Sequence, residues 1–301
     1  MRIHILGICG TFMAGLAQIL SESGHEVSGS DIQFYPPMSD YLEDTGIKTI
    51  KGYDKELLPE ADLYVIGNAL SRGNESVEEI LEKKLSFLSG PEMLGQELKG
   101  RNVFAISGTH GKTPTSYMLT HIFRDQGRDI GFLVGGISKN FDNSAKLGTD
   151  KTFVIEADEY DSAFFDKRSK FIHYSPINLV INNIEFDHAD IFKDVDQIKR
   201  IFRDYVGLIK PDGITLVKSD DNNIRDVVKS ASCNIETYGF EGDADWHIDD
   251  YRFEEGYGHF SLSFKNKHRG DFKLAMMGQH NAENAAAVAG LCFNLGLTGN
   301  E

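Results

Sequence analysis

The first hundred residues alternate between short apolar runs and stretches in which apolar residues recur at helical spacing. The run Arg2–Leu6 is typical of a buried strand, and residues 15–23 repeat apolar side chains every three or four positions, which predicts a helix. The same patterns predict strands at residues 25–30 and Leu63–Ile66 and a helix at residues 76–84. Strands that alternate with helices at this spacing form a parallel sheet with helices on its faces. The sequence therefore predicts a Rossmann-like α/β domain over residues 1–97.

A polar stretch at residues 90–102 separates this region from a second series of alternating elements. Residues 103–106 predict a buried strand, and the apolar side chains from Thr115 onward follow helical spacing. Further strands are predicted at residues 152–155, 179–184 and 214–217, followed by hairpins over residues 246–273 and a helix at residues 282–295. The sequence therefore predicts a second α/β domain, of the phosphate-loop ATPase type, over residues 98–301.

The composition is that of a globular protein, with 41% hydrophobic and 26% charged residues among 301. No apolar run approaches the ~20 residues that a membrane span requires, so we expect no membrane partner. The formal net charge of −15 argues against a general nucleic-acid-binding surface. Cys9, Cys233 and Cys292 lack the spacing of a metal or redox motif, which favours a reducing, cytoplasmic setting.

The strand at residues 103–106 is joined to the next helix by a glycine loop that ends in Lys112 and Thr113. In a triphosphate-binding loop, glycines turn backbone N–H groups toward phosphate oxygens, and the following helix directs its positive end at them. Lys112 would then contact the β- and γ-phosphates, and the Thr113 hydroxyl would hold Mg²⁺. The spacing G-x-x-G-K-T is shorter than the usual G-x-x-x-x-G-K-[ST], and Pro114 removes one possible N–H donor to phosphate.

A second glycine loop, residues 7–13, joins the first predicted strand to the first helix. Asp31 ends the second strand, where dinucleotide-binding folds place an acid that binds ribose. Cys9 and Phe12 occupy positions where the dinucleotide fingerprint has glycine. A nucleoside diphosphate at the helix N-terminus therefore fits this loop better than NAD, and a nicotinamide-dependent dehydrogenase is kept as an alternative.

Polar side chains that could carry chemistry follow several of the later elements. Residues 156–161 hold four carboxylates at a strand end, where a cation would offset their repulsion, and Mg²⁺ prefers oxygen ligands. His188, which stands between acids after the next strand, could be a metal ligand or a base. Asn281 and Asn284 lie one turn apart in the last helix, where their amides could bind the edge of a base or cap the helix.

Taken together, these motifs resemble the Mur ligase family, which uses ATP to form amide bonds in peptidoglycan synthesis. Their order and separations agree with the family over nearly the whole chain. The matching segments are residues 108–113 (GTHGKT), 156–159 (EADE), 183–188 (NIEFDH) and 280–284 (HNAEN). Residues 7–13, 35–38, 68–74 and 159–168 further resemble the family members that use a murein tripeptide.

The resemblance implies that ATP, with Mg²⁺, phosphorylates the carboxylate of UDP-N-acetylmuramate. The amine of L-alanyl-γ-D-glutamyl-meso-diaminopimelate would then attack the acyl phosphate. It implies catalytic roles for Lys112, Glu156 and His188, and it makes Thr113, Glu156 and His188 the metal ligands. The implied ATP-binding residues are Gly108, Thr109, His110, Gly111, Lys112, Thr113, Pro114, His280, Asn281 and Asn284. The implied UDP-sugar-binding residues are Gly7, Cys9, Gly10, Thr11, Phe12, Met13, Asp31 and Ser71.

Two further interpretations fit the same motifs. A family member could take L-alanine as the amine donor in place of the tripeptide, or the chain could be a nucleotide-binding module without catalytic activity. The resemblance also implies a third, C-terminal Rossmann-like domain, which would begin near residues 297–301. We therefore expect a truncated form that binds UDP-N-acetylmuramate and ligates poorly or not at all.

Overall fold

The computed structural model describes residues 1–136, 138–186 and 192–298, and the chain divides into two compact units. The first unit comprises Met1–Arg101, Asp129–Phe153 and Tyr160–Tyr174, and the second comprises Asn102–Arg128, Val154–Glu159 and Ser175–Glu301. The chain therefore passes from one unit to the other after residues 101, 128, 153, 159 and 174. The predicted division of domains at residue 97 stays a prediction.

The first unit contains a five-stranded parallel sheet. Its elements in chain order are β1 (Arg2–Leu6), α1 (Thr11–Glu22), β2 (Glu26–Asp31), α2 (Met38–Asp44), β3 (Lys48–Lys51), β4 (Leu63–Ile66), α3 (Glu75–Glu82), β5 (Phe87–Ser89) and α4 (Gly90–Glu97). The strand order is β3-β2-β1-β4-β5, and all four pairings are parallel. This order is that of a doubly wound sheet, in which ligands bind beyond the carboxyl ends of the strands. The prediction of an N-terminal Rossmann-like sheet is confirmed.

The core of this unit lies between the sheet and its helices. Ile3 and Ile5 of β1 are buried, and α1 buries an uninterrupted run from Met13 to Leu20, so this helix is covered on all its faces. Gly29 of β2 permits this packing, because a Cβ atom there would lie 2.4 Å from Ile8 Cδ1. The loop after β1 is consequently held close to the end of β2.

The second unit contains a mixed sheet. Its elements are β6 (Asn102–Ser107), α5 (Lys112–Asp125), the last part of β9 (Thr152–Glu156), β10 (Asn178–Ile181), α6 (Val195–Val206), β11 (Ile214–Lys218), α7 (Asn222–Val228), β12 (Asn234–Gly239), β13 (Trp246–Glu254), β14 (Tyr257–Phe264), β15 (Lys267–Leu274) and α8 (Gln279–Asn294). Two short strands, β7 (Gly131–Leu133) and β8 (Ala145–Lys146), precede β9 in the chain and belong to the first unit. The strands of the second unit are ordered β15-β14-β13-β12-β11-β10-β6-β9. Pairings from β6 through β13 are parallel, and β13, β14 and β15 pair antiparallel.

Several predicted boundaries shift by a few residues. The helix predicted from Thr115 begins at Lys112, because Gly111 adopts a left-handed conformation and Pro114 suits a first helical turn. The strand predicted to reach Ile184 ends at Ile181, since the side chains of Asn182 and Asn183 bond to the loop after β6 instead. The predicted α/β class and the hairpins at the end of the sheet are confirmed. In the described ranges, no helix is long and apolar enough to span a membrane.

Candidate functional site

The loop between β6 and α5, residues 108–113, is shaped by two glycines with positive φ. Gly108 has φ 125° and Gly111 has φ 80°, conformations that residues with a Cβ atom rarely adopt. A Cβ atom on Gly111 would also lie 2.7 Å from Asn182 Nδ2 and 2.9 Å from Asn284 Oδ1. Both the backbone conformation and the close approach of two amide side chains therefore require glycine at position 111. We call residues 108–113 the phosphate loop.

Two asparagines that follow β10 hold the phosphate loop in place. The His110 N–H donates to Asn183 Oδ1 at 2.7 Å, and the Thr109 N–H donates to the Asn183 carbonyl at 3.0 Å. Asn182 Nδ2 donates to Thr115 Oγ1 at 3.1 Å, which ties the loop to the first turns of α5. The sequence analysis gave Asn182 no role. Its position in the chain was the one signal that could have identified it. Asn182 directly follows Ile181, the last residue of β10, and Ile181 pairs with Ser107 at the end of β6.

Lys112 lies over its own loop and close to two acidic side chains. Its Nζ donates to the Gly108 carbonyl at 2.7 Å and lies 3.5 Å from Glu159 Oε2 and 3.6 Å from Asp158 Oδ1. Glu159 is only 4% exposed, and this burial raises its pKa while the Lys112 ammonium opposes the shift. The loop lysine is therefore partnered by carboxylates in the structure.

Thr113 and Glu156 bring two oxygen atoms together beside the phosphate loop. Thr113 Oγ1 donates to Glu156 Oε2 at 2.9 Å, and both residues had been predicted as magnesium ligands. A hydroxyl and a carboxylate suit Mg²⁺, which commonly takes one or two protein oxygens and fills its other positions with water and phosphate oxygens. Across residues 1–136, 138–186 and 192–298, no group of three His, Cys, Asp or Glu side chains forms a metal site. The third predicted ligand, His188, lies outside the described residues.

The three polar residues predicted at the start of α8 are placed differently from one another. His280 lines a cavity of about 610 Å³, together with residues from the ends of β11 and β12. The other lining residues are Lys218, Asp220, Phe240, Glu241, Gln279 and Glu283. Asn284 instead lies against Gly111, and Asn281 Nδ2 donates to the Met277 carbonyl at 2.8 Å. The structure thus connects α8 both to this cavity and to the phosphate loop.

In the first unit, the carboxylate of Asp31 holds the loop that follows β1. Its Oδ2 accepts the Cys9 N–H at 2.9 Å, and its Oδ1 accepts the Ile32 N–H at 2.8 Å. Burial of the Cys9 thiol is the larger cause, and the negative charge of Asp31 the smaller one, that raise its pKa to about 12. This thiol therefore stays protonated at neutral pH. The structure therefore gives Asp31 a role in shaping the loop, while its predicted contact with a nucleotide stays a prediction.

The loop of residues 7–10 leads directly into the N-terminus of α1. Gly7 has φ 82°, and Gly10 precedes the helix without a side-chain cap. The first N–H groups of a helix lack intrahelical acceptors, and the helix dipole favours an anion there. The predicted residues Thr11, Phe12 and Met13 form this first turn. Ser71 is exposed, and its hydroxyl donates to the Arg72 carbonyl at 3.4 Å.

Lys170 is a residue near the first unit's loop that the sequence analysis did not single out. It is 8% exposed, and its Nζ lies 5.5 Å from the centroid of the Phe12 ring and 5.7 Å from that of Tyr160. It belongs to a short 3₁₀ turn, Lys170–His173. No local motif marks such a residue, because its neighbours in space are far from it in the sequence.

Comparisons of this chain with protein-family models, curated proteins and solved structures all find Mur ligases. A model of the Mur ligase middle domain matches residues 106–292, and a model of the Mur ligase family catalytic domain matches residues 2–102. The chain is 43% identical over 298 residues to the UDP-N-acetylmuramate–L-alanyl-γ-D-glutamyl-meso-2,6-diaminoheptandioate ligase of Haemophilus influenzae. It is 44% identical over 300 residues to the ligase of the same name from Escherichia coli.

These alignments cover 98% and 99% of this chain, and the chain spans 65% of the length of each of the two curated relatives. Among solved structures, the fold is similar to a UDP-N-acetylmuramate:L-alanyl-γ-D-glutamyl-meso-diaminopimelate ligase from Neisseria meningitides, with a TM-score of 0.92 and 41% sequence identity. That similarity covers 99% of this chain and 94% of the solved one.

Proposed function

This chain belongs to the Mur ligase family, and from that premise we propose that it works in an ATP-dependent ligase of peptidoglycan recycling. The ligase would join L-alanyl-γ-D-glutamyl-meso-diaminopimelate to UDP-N-acetylmuramate in the cytoplasm. The 43% and 44% identical relatives bear the name of this reaction, which supports the choice of substrates. The observation that carries the proposal is the 2.9 Å contact between Thr113 and Glu156 beside a lysine-containing phosphate loop.

The second unit would bind ATP. The phosphates would lie on the phosphate loop and the N-terminus of α5, where helix N–H groups and the dipole favour anions. Lys112 would leave the Gly108 carbonyl to contact the γ-phosphate. The adenine would occupy the cavity beside His280 and Phe240, with Asn281 and Asn284 between it and the loop. Magnesium, held by Thr113 and Glu156, would neutralise phosphate charge when bound.

The chemistry requires two displacements. A carboxylate oxygen of the muramoyl group attacks the γ-phosphorus of ATP, the bond from phosphorus to the β–γ bridging oxygen breaks, and ADP leaves. The neutral amine of the tripeptide then attacks the acyl carbon, inorganic phosphate departs, and the nitrogen loses a proton to give the amide. The protein accelerates these steps mainly by positioning the reactants and by neutralising charge. Lys112 supplies a positive charge for both leaving groups.

The first unit would bind UDP-N-acetylmuramate. Its diphosphate would lie on residues 7–10 and the N-terminus of α1, with Thr11, Phe12 and Met13 in the first turn. Asp31 supports this site through its hydrogen bond to the Cys9 N–H, which fixes the loop conformation. Ser71 would reach the ligand from the loop after β4.

Calorimetric titration of the chain with UDP-N-acetylmuramate, with NAD as the control ligand, tests the proposal. We expect binding of UDP-N-acetylmuramate and none of NAD. In parallel, Mg·ATP should bind with a Kd that rises at least 10-fold in Lys112→Met, since that change removes the charge that contacts the γ-phosphate. Binding of NAD alone would contradict the proposal and favour a dehydrogenase.

A further inference from the structure

A chain of buried hydrogen bonds connects β12 to the phosphate loop. The Tyr238 hydroxyl donates to Asn182 Oδ1 at 3.1 Å, and Asn182 Nδ2 donates to Thr115 Oγ1 at 3.1 Å. The Thr115 hydroxyl donates in turn to the Gly111 carbonyl at 2.7 Å. Tyr238, Asn182 and Thr115 are each at most 3% exposed, so water does not compete for these bonds. We call these three side chains the relay.

The orientation of the Asn182 amide follows from its partners on both sides. Asn182 Nδ2 lies 3.3 Å from the His110 carbonyl, which can only accept a hydrogen bond, so the amide nitrogen must face the loop. The amide oxygen therefore faces Tyr238, whose hydroxyl is the donor that it needs. Burial raises the pKa of Tyr238 well above its ordinary value, so this hydroxyl keeps its proton. A phenylalanine at position 238 would remove this donor from a buried amide oxygen.

The two loop carbonyls that the relay holds also fix the direction of two loop N–H groups. The His110 carbonyl and the Gly111 N–H belong to one peptide unit, and the Gly111 carbonyl and the Lys112 N–H belong to the next. In a planar trans peptide, the C=O and N–H groups point in opposite directions. Both carbonyls are turned toward the relay, and both peptide bonds are trans. The N–H groups of Gly111 and Lys112 consequently point away from it.

These two N–H groups are suited to an anion. Lys112 begins α5, and the first N–H groups of a helix lack intrahelical acceptors. An anion on the side of the loop opposite the relay would meet both N–H groups and the positive end of the helix. Asn183 orients the first half of the loop through the N–H groups of Thr109 and His110, and the relay orients the second half through its carbonyls.

We propose that Tyr238 is a positioning residue for ATP binding, which acts through the rest of the relay to aim the N–H groups of Gly111 and Lys112 at the phosphates. This inference rests on the proposed function and adds to it a buried residue of β12. Because the relay acts on the phosphate loop, loss of the Tyr238 hydroxyl should weaken the hold on the triphosphate and leave the binding of base and ribose unchanged.

Calorimetric titration of Tyr238→Phe with Mg·ATP and with adenosine tests the inference. We expect the Kd for Mg·ATP to rise about 3- to 10-fold, the usual effect of losing one neutral hydrogen bond, and the Kd for adenosine to stay unchanged. Tyr205→Phe is the matched control, because it removes the hydroxyl of another fully buried tyrosine of the second unit, which lies outside the relay in α6. This control should leave both affinities unchanged.

Thr115→Val tests whether Tyr238 acts through the relay. Valine is similar in shape to threonine, but it neither accepts a hydrogen bond from Asn182 nor donates one to the Gly111 carbonyl. We expect the double variant Tyr238→Phe/Thr115→Val to bind Mg·ATP no more weakly than the weaker of the two single variants, since either change breaks the same chain of bonds. Additive losses would mean that the two side chains act independently and would overturn the inference.

Amide hydrogen exchange without ligand follows the loop itself. The Thr115 N–H donates to the Gly111 carbonyl at 3.2 Å, and it should exchange faster in Tyr238→Phe than in Tyr205→Phe. Unchanged exchange, an unchanged Kd for Mg·ATP, or equal losses for Mg·ATP and adenosine would overturn the assignment. If the unsubstituted chain bound no Mg·ATP, the proposed function would fail and this inference with it, so that outcome is distinguished from a failure of Tyr238 alone.

Discussion

The side chains of Thr113 and Glu156 meet with 2.9 Å between Oγ1 and Oε2, although the two residues are separated by 43 positions in the chain. Thr113 lies in the first turn of α5, and Glu156 ends β9. Thr113 directly follows Lys112, and we propose that Thr113 and Glu156 hold the metal of a bound Mg·ATP.

Glu156→Gln should therefore weaken nucleotide binding only when magnesium is present. The amide keeps the size of the side chain and can still accept the Thr113 hydrogen bond, but it lacks the charge that attracts the metal. We expect the Kd of a non-hydrolysable ATP analogue to rise about 10-fold or more with Mg²⁺, from the loss of a charged ligand, and to stay unchanged in EDTA. Glu254→Gln, an exposed acid on β13, is the control. Equal weakening with and without metal would contradict the assignment.

Gly111→Ala should destabilise the phosphate loop by more than the strain of a left-handed backbone conformation at residue 111 alone. A left-handed residue with a Cβ atom costs roughly 1–2 kcal/mol of stability. At position 111 the new methyl group would also displace Asn182 and Asn284. Gly100→Ala is a matched control, because Gly100 has φ 81° and open space around it. Denaturant unfolding should show a stability loss from strain in both variants and a larger loss in Gly111→Ala, and ATP titration should show a loss of affinity in Gly111→Ala alone.

Glu159→Gln should tighten ATP binding. In the structure Lys112 lies 3.5 Å from the buried Glu159 carboxylate, which would compete with a bound triphosphate for the same ammonium. Removal of that charge leaves Lys112 near the Gly108 carbonyl and lowers the repulsion felt by an incoming anion. Equilibrium titration with Mg·ATP should show a Kd reduced several-fold at pH 7. A weaker complex would mean instead that Glu159 holds Lys112 in the orientation that binding requires.

His4 should make the stability of the chain depend on pH. Its imidazole is fully buried and lies 2.8 Å from each of the Ser28 and Ser30 hydroxyls, and burial lowers its pKa from 6.5 to about 4. Between these values the unfolded chain binds the proton more readily than the folded one. The free energy of unfolding should therefore fall by about 3 kcal/mol as the pH drops from 6.5 to 4, from 1.36 kcal/mol per pKa unit.

Urea unfolding at several pH values measures this dependence. His4→Asn should be less stable at pH 7 but should lose less stability on acidification, because the buried titrating group is gone. His268→Asn, whose side chain is exposed, should leave the pH profile unchanged. An identical slope in His4→Asn and the unsubstituted chain would assign the pH dependence to other groups.

The local parts of the fold and of the candidate site were predictable because they depend on neighbouring residues. Glycines before Lys112 and Thr113 predicted a loop and a helix, and apolar runs predicted both sheets. The hydrogen bond from the His110 N–H to Asn183 Oδ1 joins residues 73 positions apart, and no local pattern specifies such a contact. Asp31 shows a second limit: its sequence position gave no sign that its oxygens hold two backbone N–H groups, while its predicted contact with a nucleotide stays a prediction.

Lys170 illustrates the same limit on a larger scale. A lysine that follows a polar segment is usually a solvated charge, and its sequence neighbourhood gave no reason to expect burial. Burial results from the folding back of residues 160–174 and from the packing of Phe12, and both depend on the completed first unit.

The repeated passage of the chain between the two units limits how the protein can be dissected. A fragment cut after residue 101 would contain all five strands of the first sheet but would lack Asp129–Phe153 and Tyr160–Tyr174 of the same unit. Such a fragment would expose the apolar surface that Phe164 covers and would aggregate more readily than the intact chain. Chimaeras with related ligases should therefore exchange the three segments of the first unit together.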